Sequence, residues 1–259
     1  MVSTLRPQMT EVGAEGEVME DAVEATKTPM KLRSARINKK IVKTLGVYIV
    51  VVLLTLVITS SIVLAQQTVR YYAGYTFGKG YYGVSGDIYT INPSVQGSNF
   101  IAQWVTIIIS HSREYWIQVG YNKGFDTQYK LKFYVEKMDA NGYSIIWVSS
   151  VTPSPSTTYT YIIVGGVFNN KYGWEVTIRR GIDDLYSTVI YTNPYTAEDL
   201  QAFSETTTTK INIDNTHFSS LSYYTGRSFP LWDQHSAHVD KPYWIQEISD
   251  YEFKAGGGG

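Results

Sequence analysis

The sequence predicts an all-β sandwich or barrel carried behind one apolar segment of membrane length. Three observations lead there. From Tyr71 onward, short alternating or β-branched and aromatic segments recur at roughly 8–15-residue spacing between Gly, Asn, Pro and Ser breaks. No amphipathic helical period separates them. Upstream, Gly46 to Ala65 runs without a charged residue.

Composition narrows the class. A chain of 259 residues holds one large β-domain or two small ones. It has no cysteine, so neither disulfides nor thiolate chemistry is available, and a large core must hold the fold. Its 22 Tyr and 6 Trp can supply that core. The net charge of −1 is unevenly built: residues 1–65 hold 8 of the 22 basic and 6 of the 23 acidic residues. The remainder has no basic stripe, which argues against nucleic acid as a partner.

Residues 1–30 are polar and acidic, with Glu11, Glu15, Glu17, Glu20, Asp21 and Glu24, and bury too little to offset ordering entropy. A disordered tail is expected. Residues 31–45 carry Lys31, Arg33, Arg36, Lys39, Lys40 and Lys43. Residues 46–65, at about 1.5 Å each, match a ~30 Å hydrocarbon core and predict a transmembrane helix or signal anchor. The basic flank places the N-terminus in the cytoplasm and residues 70–255 outside, with the lipid bilayer as a partner through 46–65. Val63-Leu64-Ala65 also fits a cleavage site, and cleavage after Ala65 would release a secreted domain.

Val84 to Tyr89 alternates as a first strand, and Asn92-Pro93 marks a turn. The central run follows: Gln103 to Ile109, Tyr115 to Tyr121, and Tyr129 to Lys137. In the second of these, Tyr115, Ile117, Val119 and Tyr121 share one face; Trp116, Gln118 and Gly120 share the other. In the third, Tyr129, Leu131, Phe133 and Val135 oppose Lys130, Lys132, Tyr134 and Glu136. Further strands are expected at Ser144 to Val148, Tyr159 to Val164, Gly173 to Arg179, Ser187 to Tyr191, Leu200 to Thr209, Phe218 to Tyr224 and Tyr243 to Phe253. No fixed-period repeat is present, which argues against a propeller or solenoid. Residues 256–259 are all Gly and read as a flexible tail.

Most catalytic chemistries lack their residues. His235, His238 and Asp240 sit close in sequence, but no helix presents them together, so they read as surface residues rather than a metal site. His111 and His217 stand alone. There is no nucleophile elbow and no phosphate-cradling glycine loop before a helix, and no cofactor is implied. What remains is carboxylates and amides on a sheet.

Gly83-Val84-Ser85-Gly86, Ala102-Gln103-Trp104-Val105, Ile117-Gln118-Val119-Gly120, the strand bearing Tyr134 and Glu136, Ala202-Phe203-Ser204-Glu205, and Phe218 to Gly226 together resemble the glutamic peptidases (eqolisins). They are more faintly similar to neprosin-type glutamic proteases. The resemblance spans about residues 82–224. It implies a concanavalin-like jelly-roll sandwich of two antiparallel sheets, with a glutamine and a glutamate on one concave face. By position it makes Gln118 the catalytic glutamine and Glu205 the catalytic glutamate. Trp104, Trp116, Tyr134 and Glu136 become substrate-cleft residues. Such a carboxylate could act as general base toward water in mild acid, while the amide donates to the oxyanion. Glu205 lacks the tryptophan-containing motif expected around it, and Glu136, Glu198 and Glu247 are rivals. Two function classes follow: a membrane-anchored extracellular module that binds a glycan or polypeptide ligand or forms surface structure, and an acid-active endopeptidase using the Gln/Glu pair.

Overall fold

The structure, a computed structural model, describes residues 69–78, 81–192 and 196–259. The expected tail, basic segment, apolar span and cleavage site (residues 1–65) lie outside the described residues. Among the described residues no helix is long and apolar enough to cross a membrane.

Fourteen strands and one short 3-10 turn, Phe125–Thr127, make up the described chain. The strands are β1 (Tyr71–Phe77), β2 (Gly83–Tyr89), β3 (Phe100–Ser110), β4 (Tyr115–Gly124), β5 (Lys132–Asp139), β6 (Gly142–Trp147) and β7 (Thr158–Phe168). They continue with β8 (Lys171–Arg180), β9 (Asp183–Ile190), β10 (Asp199–Thr206), β11 (Thr216–Tyr223), β12 (Ser236–Val239), β13 (Trp244–Ser249) and β14 (Glu252–Gly256). Two seven-stranded antiparallel sheets result, in the orders β12-β1-β10-β3-β4-β5-β6 and β13-β14-β11-β2-β7-β8-β9.

Alternation drives the packing. Ile101, Val105 and Ile107 of β3, Ile117, Val119 and Tyr121 of β4, and Phe133 and Val135 of β5 turn inward. They meet Val84, Ile88, Tyr161, Ile163, Trp174, Val176 and Phe218 in one apolar core. Burying each such side chain contributes about 1.5–3 kcal/mol. One polar network crosses the core: the Tyr121 hydroxyl donates to Gln103 Oε1 (2.6 Å), and Gln103 Nε2 donates to Thr216 Oγ1 (2.6 Å) in the opposite sheet. Burial pushes the Tyr121 phenol above its usual range.

Several segments depart from the alternation reading. Tyr71 to Phe77 is a strand in its own right, because it finds partners on both sides, β10 and β12. Tyr129 does not join β5; Gln128 (φ 54°) and Tyr129 (φ 58°) are left-handed and turn the chain. Tyr243 to Phe253 divides into β13 and β14, paired with an irregularity between Glu247 and Ser249. Gly256 closes β14, Gly257 N donates to Asp214 Oδ1 (2.9 Å), and Gly259 N donates to the Thr209 carbonyl (3.2 Å). The expected flexible tail thus meets a strand residue and backbone hydrogen bonds.

Candidate functional site

The outer face of the first sheet collects the even residues of β3, β4 and β5 and the odd residues of β10, and antiparallel register sets them in rows. One row reads Thr76, Gln201, Thr106, Gln118, Glu136, Ile145 across six strands. The next is Gly74, Phe203, Trp104, Gly120, Tyr134, Trp147, and the one beyond contains Tyr72, Glu205, Ala102, Asn122 and Lys132. On the other side of the Gln118 row lie Asp199, Ile108, Trp116, Met138 and Tyr143. Gly120 matters here: a Cβ would stand 2.0 Å from the Gln103 carbonyl oxygen, so only glycine fits between Trp104 and Tyr134.

Gln118 is buried and saturated. Its Nε2 donates to the Tyr134 hydroxyl (2.6 Å) and to Glu136 Oε1 (3.1 Å), and its Oε1 accepts from Thr106 Oγ1 (3.2 Å). Glu136, also buried, takes a second hydrogen bond from the Tyr143 hydroxyl (2.7 Å). An amide has two N–H donors. Both are engaged here.

Glu205 lies elsewhere on the same face. It opposes Ala102, whereas Gln118 opposes Thr106. Four residues of offset place it about 13 Å along the strands from Gln118, and two strand spacings add about 10 Å across. The structure therefore does not bring the expected Gln118 and Glu205 pair together; the register of the intervening β3 keeps them apart. Glu205 instead pairs with the Arg70 guanidinium and accepts from Trp104 Nε1 (3.0 Å). Arg70 in turn stacks over Phe100, 5.2 Å from its ring centre.

The position level with Gln118 on β10 belongs to Gln201, a residue the motif reading passed over. The alternation of Leu200 to Thr209 already puts Gln201, Phe203 and Glu205 on one face; what it lacks is register. Gln201 Nε2 donates to Asp199 Oδ2 (2.9 Å). Burial raises the Asp199 carboxyl above its ordinary range, against the lowering pull of Gln201, His111 and the Leu200 N–H. Three polar atoms of this face are buried without a hydrogen-bond partner among the described residues: Gln201 Oε1 and Asn122 Oδ1, both acceptors, and Trp116 Nε1–H, a donor.

All four expected cleft residues occupy this face, but all four are buried. Trp104, Trp116 and Tyr134 are 3%, 2% and 1% exposed, and Trp104 and Tyr134 cluster with Ala102 and Phe203. Among the described residues no three His, Asp or Glu side chains converge on a metal-sized site. His235 stacks on Tyr75 (3.9 Å between ring centres) and pairs with Asp250 (2.8 Å), while His238 faces Asp240 at 3.5 Å.

No family model and no curated protein sequence matches the chain. Solved structures do. A scytalido-glutamic peptidase with a peptide-based transition-state analogue shares 10% identity at a TM-score of 0.51, covering 73% of this chain and 98% of that one. The same peptidase with a transition-state analogue inhibitor gives 12% identity and a TM-score of 0.53 over the same shares. The fold resembles that of the glutamic peptidases. At this identity the likeness extends to the sandwich alone. The sandwich here sets Gln201 level with Gln118 two strands away, with Thr106 between them, and hydrogen-bonds Gln118 to Glu136.

Proposed function

We propose that the β-domain is a non-hydrolytic module that binds extended polypeptide on the outer face of its first sheet. The observation that carries this reading is the set of unpartnered polar atoms on that face, among them Trp116 Nε1–H and Gln201 Oε1. Each buried unpaired group costs about 1–3 kcal/mol. Both atoms are closed to solvent; a polypeptide that opened this face would offer a carbonyl to the indole and an N–H to the amide oxygen and so offset both costs. The structural likeness to an enzyme crystallised with a peptide-based analogue agrees in ligand class. Hydrolysis is disfavoured because Gln118 has no free N–H for an oxyanion and Glu205 is held by Arg70 and Trp104.

One contact favours a second reading. Glu136 sits against Gln118 at 3.1 Å, and a carboxylate beside an amide could serve as general base if the network opened. A single experiment separates the two: incubate the protein with denatured polypeptide between about pH 2 and 7, where carboxylates titrate, and measure binding and cleavage together. Binding without cleavage, weakened at least several-fold by Trp116→Phe or Gln201→Leu, is the expected result. Cleavage abolished by both Gln118→Ala and Glu136→Gln would replace the binding reading with the hydrolytic one.

A further inference from the structure

Carboxylates on the outer face of the first sheet are answered unevenly. Glu205 has a cation of its own, the Arg70 guanidinium. Glu136 is held by the Gln118 amide and the Tyr143 hydroxyl. Asp199 has N–H donors alone: its Oδ2 accepts from Gln201 Nε2 (2.9 Å), and the Leu200 N–H also reaches the carboxyl. Among the described residues no lysine or arginine lies within ion-pair distance of it. The pull of His111 acts from beyond that distance and is outweighed by burial.

Asp199 is nonetheless within reach of a ligand. Trp116 Nε1 and Gln201 Oε1 are closed to solvent, whereas Asp199 is half-buried and opens β10 at the end of the face. It stands in the row of Ile108 and Trp116, two strands from the indole, and alternation sets it beside Gln201 along its own strand. An indole N–H and an amide oxygen without partners thus share one corner of the face with a carboxylate without a cation.

We propose that Asp199 selects a basic residue, lysine or arginine, in the polypeptide that this face binds. The inference rests on the binding reading above and adds the side chain that the site prefers. Main-chain groups of an extended ligand can serve Trp116 and Gln201 whatever its sequence, so those two atoms carry no side-chain preference. The carboxylate does. A charge drawn partly out of water is costly until an opposite charge comes beside it, and the attraction grows as the surroundings become less aqueous. An ammonium or guanidinium supplies that charge and favours the ionised carboxylate. An acidic residue at the same place meets a like charge and is rejected.

The test uses three short peptides of serine, threonine and valine, identical except for a central lysine, Nε-acetyl-lysine or glutamate. Each is titrated into the full-length chain at pH 7 and low salt, with binding read by fluorescence anisotropy. Acetylation removes the charge and keeps the stem. The lysine peptide is expected to bind at least several-fold tighter than the acetyl-lysine peptide, and the glutamate peptide weakest. In Asp199→Asn, which keeps an acceptor for Gln201, the ratio of the first two affinities should fall to about one; Asp199→Glu should keep a preference for lysine. A merely structural role would lower both affinities and leave their ratio alone. Equal binding of the lysine and acetyl-lysine peptides by the unaltered chain overturns the inference and leaves polypeptide binding standing. An unchanged ratio in Asp199→Asn overturns it as well, and Asp199→Ser gives the same comparison should the asparagine variant not fold. Binding of none of the three peptides removes the polypeptide reading and this inference with it.

Discussion

Asp199 shows how one buried carboxyl can report on the face it belongs to. Its folded-state pKa is raised, chiefly by burial. The sign follows: a carboxyl that folding holds protonated stabilises the fold below its unfolded pKa of about 3.9, and that stability is lost as pH rises through the higher folded value. Asp199→Asn removes the charge and keeps an acceptor for Gln201. It should raise the denaturation midpoint at pH 7 and leave it nearly unchanged at pH 3, as read from urea titrations at the two values. A polypeptide filling the neighbouring space would add to the burial of Asp199. Gln118 and Glu205 mark the limit of residue-level reading. Their shared face was an implication of the glutamic-peptidase resemblance, and their separation was not legible, because it depends on where β3 pairs with β10.

At the scale of single elements, the strand faces of β3, β4 and β5 were legible because alternation of Trp104, Gln118 and Tyr134 against Val105, Val119 and Val135 is a local property. Turns were less so. Nothing in Gln128-Tyr129 distinguishes it from strand sequence, yet both residues adopt positive φ. The β7–β8 hairpin is the readable counterexample: Asn169 (φ 51°) and Asn170 (φ 61°) form its two-residue turn, and asparagine tolerates that conformation best after glycine. Asn170→Gly should leave stability within about 0.5 kcal/mol, whereas Asn170→Ala should cost about 1–2 kcal/mol. Thermal melts of the two variants check the difference. The candidate site follows the same division. Its residue types were visible in the strands, while the neighbours of Gln118 came from strand pairing over long separations.

For the whole molecule, the division into two sheets is set by distant partners. β1 pairs with β10 (Tyr71↔Thr206), and β2 with β11 (Tyr89↔His217). A sequence read locally can supply the strands of such a sandwich but not their order. Non-local pairing of this kind slows folding, because loop closure precedes the reward of contact. Refolding from denaturant should show its main phase at about milliseconds to seconds or slower. A microsecond main phase in stopped-flow or temperature-jump fluorescence, with the buried Trp104 and Trp174 as reporters, would contradict the topology.

The pairing of β1 with β10 also bears on synthesis. Chains leave the ribosome from their N-terminus at about 5–20 residues per second, so Tyr71–Phe77 emerges long before the strand that will flank it. Until Asp199–Thr206 and then Ser236–Val239 arrive, β1 has no sheet to join. Completion of this domain is therefore a late event in translation, and the nascent polypeptide spends several seconds as a threadable, unfinished chain.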